Sequence, residues 1–431
     1  MFKTYQEALN YLYNNLPMFQ RIGAVAFKKD LTNTWALCEA LGNPQNKFKS
    51  IHIAGTNGKG STSHMIASIL QSAGYRTGLY TSPHLKSFTE RIRLNGKEIT
   101  EQFVVDFVNR IQPYIEKIQP SFFEITVAMA FDYFAMEQVD VAVIEVGLGG
   151  RLDSTNVITP ELSVITNIGW DHTDILGDSL EKIASEKAGI IKHQIPVVVS
   201  ERQPAVEHVF MAKAAAEEAA LNFASDHYAV TTRLENGRAT LTVEKDGSVL
   251  FDRIALPLRG HYQKKNLPGV LQAVTILQQQ GWKITDKELL DGLEKVTSQT
   301  GLKGRWQILH EKPIVVCDTG HNLDGIAQVV EQIRHTPHHK LLMVIGMVKD
   351  KDISGVLKLL PTEANYYFCQ ADIPRALDAD TLAAQAHALG LKGEVVRNVN
   401  EAIAKAKANA HAEDMIFIGG STFVVAEIEG L

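Results

Sequence analysis

Residues 50–70 read "SIHIAGTNGKGSTSHMIASIL". An apolar, β-branched segment runs into three glycines within six residues, Gly55, Gly58 and Gly60, with one lysine, Lys59, among them. The residues that follow have helical spacing. A turn this rich in glycine, entered from a strand and left through a helix, lets backbone N–H groups approach a ligand closely. The first turn of the helix then offers an anion its unpaired N–H groups. Lys59 would reach the β- and γ-phosphates and Ser61 would stand near a Mg²⁺ ion. The spacing departs from the general phosphate loop, because two residues rather than four separate Gly55 from Gly58 and Gly60 intervenes between Lys59 and Ser61. The bland alternative is a structural strand-to-helix turn; the flanking strand and helix favour the phosphate cradle.

The rest of the chain repeats the strand-then-helix order. "SIHIAG", "RTGLYT", "VDVAVIEVG", "LSVITN" and "IPVVVS" are short and apolar on both faces, as strands buried in a parallel sheet are, and helical patterns lie between most of them. An α/β domain with a parallel-rich sheet wrapped by helices is expected. Near residues 228–258 the pattern alternates instead, with hairpin turns expected at Asn236-Gly237 and Asp246-Gly247. "TSQTGLKGRW", Thr297 to Trp306, lacks a clear period and reads as a linker. Beyond it "PIVVCD", "KLLMVIGM", "NYYFCQ" and "DMIFIGG" support a second, smaller Rossmann-like α/β domain. The expected division is residues 1–298 and 299–431. A chain of 431 residues is long enough for two such cores.

Composition excludes several function classes. Formal charge is −6, with no Lys/Arg stripe of the kind that tracks a duplex, so nucleic acid is not an expected partner. No apolar run approaches the ~20 residues of a membrane span. The N-terminal "MFKTYQEALNYLYNNL" reads as an amphipathic helix rather than a signal peptide. Three scattered cysteines, Cys38, Cys317 and Cys369, suit a reducing compartment. A cytoplasmic monomer acting on small molecules is the expectation.

Two further clusters follow strands. In "VIEVGLGGRLDSTNVI", Glu145 ends a buried strand beside a glycine-rich loop, where open α/β sheets place ligands; its carboxylate either caps a turn or holds a cation. In "TNIGWDHTDILGDS", Asp171, His172 and Asp174 crowd together. His172 is either a hydrogen-bonded loop residue, a metal ligand, or a direct phosphate contact. Mg²⁺ prefers oxygen donors, which makes Glu145 and a hydroxyl the easier ligands and His172 the less usual one. Mg²⁺ with ATP is the expected pairing.

"GTNGKGST", "TSPHL…ERIR", "FFEITVAMAF", "EVGLGGRLDSTN", "NIGWDHTDILG", "SEKAGIIK" and "HYQKKN" occur together and in order. With them the chain resembles the folylpolyglutamate synthase/dihydrofolate synthase group of the Mur ligase superfamily over nearly its whole length. The resemblance implies a P-loop-containing Mur ligase-like domain followed by a Rossmann-like glutamate ligase domain. It implies an ATP-dependent amide ligase, in which a carboxylate is phosphorylated to an acyl phosphate that the amine of L-glutamate then attacks. The expected acceptors are dihydropteroate, folate polyglutamates, or both; the "QRIGAVAFKKDL" segment and His84 lie near the expected pterin site without deciding between them.

Carried over by resemblance, Gly58, Lys59, Gly60 and Ser61 hold the ATP phosphates and Asn266 contacts the adenine. Ser82 and Glu145 ligate one Mg²⁺ and His172 a second. Lys187 matches a lysine that is carbamylated in this family; Lys59, Lys187 and His172 are the expected catalytic residues. Arg305 and Asp318 match positions that reach the nucleotide from the second domain across a cleft expected to close and exclude water. Phe122, Phe123 and Glu124, with Arg151, Leu152 and Asp153, lie where the pterin-bearing substrate is held, and His321 is either a substrate contact or a turn residue. The second domain departs from the family at "GRWQ", where Gln307 replaces a carboxylate, and at "DTGHN". The rival enzymatic reading is a cell-wall Mur-type amino-acid ligase. "FFEITVAMAF" and "SPHL…ERIR" stand against it, as does the lack of the separate N-terminal domain such ligases are expected to have. A non-catalytic nucleotide-binding protein is a rival of a different class. It would have no need of Lys59, Glu145, His172 and Lys187 together.

Overall fold

The computed structural model describes residues 1–18, 30–235 and 238–431. The Asn236-Gly237 turn and most of the "QRIGAVAFKKDL" segment lie outside the described residues. The chain divides into two compact units. The first comprises Met1–Pro257 and Gln263–Leu302, the second Leu258–Tyr262 and Lys303–Leu431. The division thus falls a few residues beyond the one expected from sequence, and a short segment ahead of the Gln263–Gln279 helix goes with the second unit. The first four residues of the expected linker, Thr297 to Thr300, are helical, belonging to the Val296–Thr300 helix that ends at Gly301.

In the first unit the strands are β1 (Lys49–Ala54), β2 (Thr77–Tyr80), β3 (Ile92–Leu94), β4 (Lys97–Glu98), β5 (Val141–Glu145), β6 (Leu162–Ile165), β7 (Val197–Val199) and β8 (Leu221–Phe223). They form one sheet in the order β4-β3-β2-β5-β1-β6-β7-β8, parallel from β2 to β8 with an antiparallel β3 and β4 at one edge. The strands of its centre are buried on both faces, which is why their sequences run apolar without alternating. On one face Ala142, Ile144 and Tyr80 pack with the helices Glu101–Ile118 and Phe122–Met136. Farther along, Ile165, Val197 and Val199 pack with the helices Leu180–Ala188 and Glu207–Ala216.

The order places the functional segments. From β1 the chain crosses to β2 and β5 on one side, and β6 to β8 lie on the other, so β1 is where the winding reverses and where open α/β sheets take ligands. Register sets Ile53 opposite Glu145 and Ala54 opposite Ile165. The loop after β1, Glu145 and the Thr166–Asn167 segment therefore leave the sheet at one edge. A three-stranded antiparallel meander, β9 (Tyr228–Glu235), β10 (Arg238–Lys245) and β11 (Ser248–Ile254), turns between its last two strands at Asp246 and Gly247, both left-handed, as the Asp-Gly pair requires.

The second unit holds β12 (Gln307–Glu311), β13 (Ile314–Cys317), β14 (Leu341–Ile345), β15 (Asn365–Phe368), β16 (Lys392–Val395) and β17 (Met415–Gly419) in the order β12-β13-β17-β14-β15-β16. All neighbours are parallel except β12 with β13. Its four inner strands are the apolar runs read from sequence. The outermost two, β12 and β16, escape that reading because an edge strand is partly exposed and shows no continuous apolar run.

Candidate active site

Gly55 and Gly58 make the loop after β1 possible. Gly55 has φ +144°, and a Cβ there would fall 1.9 Å from Thr166 Oγ1; Gly58 has φ +87°, and its Cβ would fall 2.2 Å from Asn266 Oδ1. Any side chain would collide as well as being strained. The loop is tied from the β6 side: Thr56 N donates to Asn167 O (2.9 Å), Asn57 N to Asn167 Oδ1 (2.9 Å), and Thr166 Oγ1 to Asn57 O (2.5 Å). Gly58 is the N-cap of the Lys59–Ser72 helix and offers no side-chain cap, so the first turn, where Lys59, Gly60 and Ser61 lie, turns the positive end of the helix toward the loop.

Two lysines converge on this loop. Lys59 Nζ donates to Gly55 O and Thr56 O, each at 3.1 Å, and Lys187 Nζ donates to Gly55 O at 2.7 Å. Lys187 ends the Leu180–Ala188 helix and is only 4% exposed. Burial, reinforced by the Lys59 charge and opposed by Asp171 and Asp153, brings its amine down to about 7. The bland reading of Lys187, a solvated helix charge, does not hold. Glu186, next to it, pairs instead with Arg151 (2.7 Å to Nη2). Arg151 is thus exposed and committed to that helix, and its backbone N–H donates to Glu186 O (2.7 Å).

Glu145 is 5% exposed at the end of β5 and accepts from Ser82 N at 3.0 Å, so the two expected metal ligands meet across the ends of β2 and β5. His172 sits left-handed (φ +51°) at the start of the Thr173–Leu176 turn; its N–H donates to Asp171 Oδ1 (2.9 Å), and its Nε2 lies 3.7 Å from that oxygen. Among the described residues no three His, Cys, Asp or Glu side chains group closely enough to hold a metal by themselves. Mg²⁺ suits such a place, since it commonly takes one or two protein oxygens and completes its shell with substrate phosphate and water. The Ser82–Glu145 pair beside a phosphate loop fits it.

The expected substrate-holding residues are mostly engaged with neighbouring parts of their own unit. Glu124 closes the capping box of the Phe122–Met136 helix, accepting from Ser121 N at 2.5 Å. Phe122 is buried in the core with the Arg91 guanidinium over its ring, 5.4 Å from the centroid. Phe123 lies against Gly147, whose Cβ would come 2.4 Å from the ring. Asp153 is buried and accepts from Leu148 N (2.8 Å), Thr155 N (2.9 Å) and Thr155 Oγ1 (2.5 Å), closing the glycine loop that also carries the half-buried Leu152. Burial raises its carboxyl pKa against the pull of those bonds. In the second unit Asp318 is buried and accepts from Tyr262 Oη (2.6 Å), Trp306 N (2.7 Å) and Gly320 N (2.7 Å). Arg305 donates to Thr319 Oγ1 and to Gly304 O (3.3 Å), and His321 Nδ1 to Thr319 O (3.0 Å). Gln307 accepts from Gly304 N (2.8 Å), holding the same turn.

Sequence reasoning assigned no role to three groups that the structure draws in. Gln263 and Tyr262 lie inside the "HYQKKN" motif but carry no charge to mark them. Arg91 donates from Nε to His84 Nδ1 at 2.8 Å, and burial together with the Arg91 charge holds His84 well below the usual histidine range. That pairing depends on the turn between β2 and β3.

Fold and site together define a Mur-type ligase. The Mur ligase middle domain pattern matches residues 53–274, and that of the Mur ligase glutamate ligase domain matches residues 304–422. The chain is 37% identical over 390 residues to the dihydrofolate synthase/folylpolyglutamate synthase of Bacillus subtilis, covering 87% of each chain. It is similar in structure to E. coli FolC in complex with DHPP and ADP, with a TM-score of 0.86 and 30% identity over 98% of this chain and 96% of that one. It is also similar to the bifunctional folylpolyglutamate synthase/dihydrofolate synthase of Yersinia pestis complexed with AMPPNP and Mn ion, with a TM-score of 0.81 and 28% identity over 98% and 97%. The chain belongs to the dihydrofolate synthase/folylpolyglutamate synthase family of Mur ligases. No helix of the described residues is long and apolar enough to cross a membrane.

Proposed function

We propose that this protein is a Mg²⁺- and ATP-dependent ligase that adds L-glutamate to dihydropteroate, to folate polyglutamates, or to both. The observation that carries the chemistry is the buried Lys187 amine, hydrogen-bonded to the phosphate loop beside Lys59. A loop that only bound nucleotide would need no second, desolvated lysine. The substrate carboxylate attacks the γ-phosphorus of ATP, forming the acyl phosphate and releasing ADP. The glutamate amine then attacks the acyl carbon, phosphate leaves, and the nitrogen gives up a proton. Gly58, Lys59, Gly60 and Ser61 orient and neutralise the phosphates. Mg²⁺, held by Ser82 and Glu145 with a second at His172, would neutralise charge on the transferring group. A neutral amine is what reaction with CO₂ requires, and a carbamate at Lys187 would supply oxygens suited to Mg²⁺. By family resemblance Asn266, Arg305 and Asp318 serve the nucleotide. Phe122 to Glu124, Arg151 to Asp153 and His321 serve the other substrates. A reducing, cytoplasmic setting is in keeping with three buried cysteines that form no disulfide.

ADP release should require glutamate and a pterin acceptor together. Lys59→Ala, which removes a half-buried charge at a helix start and no core packing, should lower it about 10²- to 10³-fold in a folded protein. Release that ignores glutamate, or undiminished turnover in folded Lys59→Ala, would overturn the assignment.

A further inference from the structure

We infer that Gln263 is a positioning residue for the phosphate loop, setting the Ser61 hydroxyl for the nucleotide through a relay that begins at Gly58. This deepens the ATP-ligase reading and rests on it. Gln263 is 1% exposed at the first position of the Gln263–Gln279 helix. Its Nε2 donates to Ser61 Oγ at 3.1 Å, and its Oε1 accepts from Asn266 Nδ2 at 2.8 Å, one turn along the same helix. Asn266 Oδ1 in turn faces the Cα of Gly58 so closely that a Cβ there would lie 2.2 Å away.

The direction of the relay follows from chemistry. A C–H group facing an amide is met by the oxygen, not by the NH₂, so Gly58 turns Asn266 Nδ2 toward Gln263. Gln263 must then accept at Oε1, which leaves its NH₂ for Ser61. Ser61 is 1% exposed, and with one lone pair taken by this N–H its own proton and second lone pair remain for phosphate or cation. The hydroxyl of the loop is thereby oriented before nucleotide arrives, by a neutral side chain that never touches it. Glycine at position 58 is what makes room for the relay. Asn266, expected from sequence to contact adenine, has one end committed to this chain.

The test uses binding of MgATP to the whole protein by calorimetry without acceptor, alongside steady-state turnover. Gln263→Met keeps volume and an unbranched shape but loses both bonds. Gln263→Glu keeps acceptance from Asn266 and loses donation to Ser61, so it reports even if the methionine variant folds poorly. Each should weaken MgATP binding about tenfold, the size of one lost hydrogen bond at a buried site. The KM for ATP should rise while that for glutamate stays unchanged. In a Ser61→Ala background Gln263→Met should cost little more, because the relay has lost its target. Undiminished MgATP affinity in Gln263→Met, or the same loss with and without Ser61, would overturn the relay. Normal MgATP behaviour with no glutamate-dependent turnover of any pterin acceptor would instead fault the ligase reading and leave the relay standing.

Discussion

Lys187 is where the energetics of a single residue are most exposed to experiment. Its folded-state amine titrates near about 7, whereas an unfolded lysine titrates near ~10.4. Between those values the unfolded chain binds a proton that the folded chain lacks, so this group makes stability rise with pH across the window. The cost of burying it is full below pH 7 and fades toward pH 10. Lys187→Met in CO₂-free buffer should therefore melt a few degrees higher than the parent at pH 6.5, with the gap closing by about pH 10. It should retain nucleotide binding and lose most ligase activity. Equal melting at pH 6.5, or a gap that widens with pH, would contradict a buried amine. The lost bond to Gly55 O is a small offset, since Lys59 still donates to that carbonyl.

At the scale of elements, the loop after β1 and the Gln263–Gln279 helix constrain one another through contacts far apart in sequence. Gly58→Ala meets two penalties, a left-handed φ that costs about 1–2 kcal/mol and a Cβ driven into Asn266 Oδ1. Destabilisation of about 2 kcal/mol or more is expected in urea unfolding. Removing the obstacle with Asn266→Ala should recover part of it, so the two changes together should cost less than their sum by at least about 0.5 kcal/mol. Strict additivity would mean that loop and helix do not meet as described. The same logic explains the glycine loop after β5. Gly150 lies against the backbone of Glu186 and Lys187, so the segment carrying Asp153 is docked on the helix that delivers the buried lysine.

For the molecule as a whole, the decisive property is the order of the two chemical steps. The phosphate loop belongs to the first unit, and the glutamate ligase pattern to residues 304–422 of the second. An acyl phosphate must survive until an amine reaches it, which calls for exclusion of water around the reacting atoms. Hydroxylamine offered in place of glutamate should give a hydroxamate of the pterin substrate only when ATP is present. Formation without ATP, or none from an enzyme that is otherwise active, would count against the intermediate.

Much of this was legible in the chain. Runs such as "VAVI" and "LLMVI" are apolar at every position, a pattern that a sheet buried on both faces imposes, and Gly55 and Gly58, both at positive φ, mark the tight strand-to-helix turn in which Lys59 was expected to meet phosphate. What the sequence determined was therefore local: which segments are strands, where the backbone must turn left-handed, and which charges end up beside a glycine loop. It read Thr297 to Thr300 as linker, whereas they belong to the short Val296–Thr300 helix, which has no amphipathic period to reveal it. The edge strands β12 and β16 went unread, because pairing on one side only leaves no apolar signature. Only the tertiary structure decided that Lys187 is a desolvated amine rather than a surface charge, since its burial depends on the sheet order that seats the Leu180–Ala188 helix over Gly55. Only packing gave Gln263 a partner, because a neutral amide has no long-range field and acquires a role through the few ångströms that separate it from Ser61.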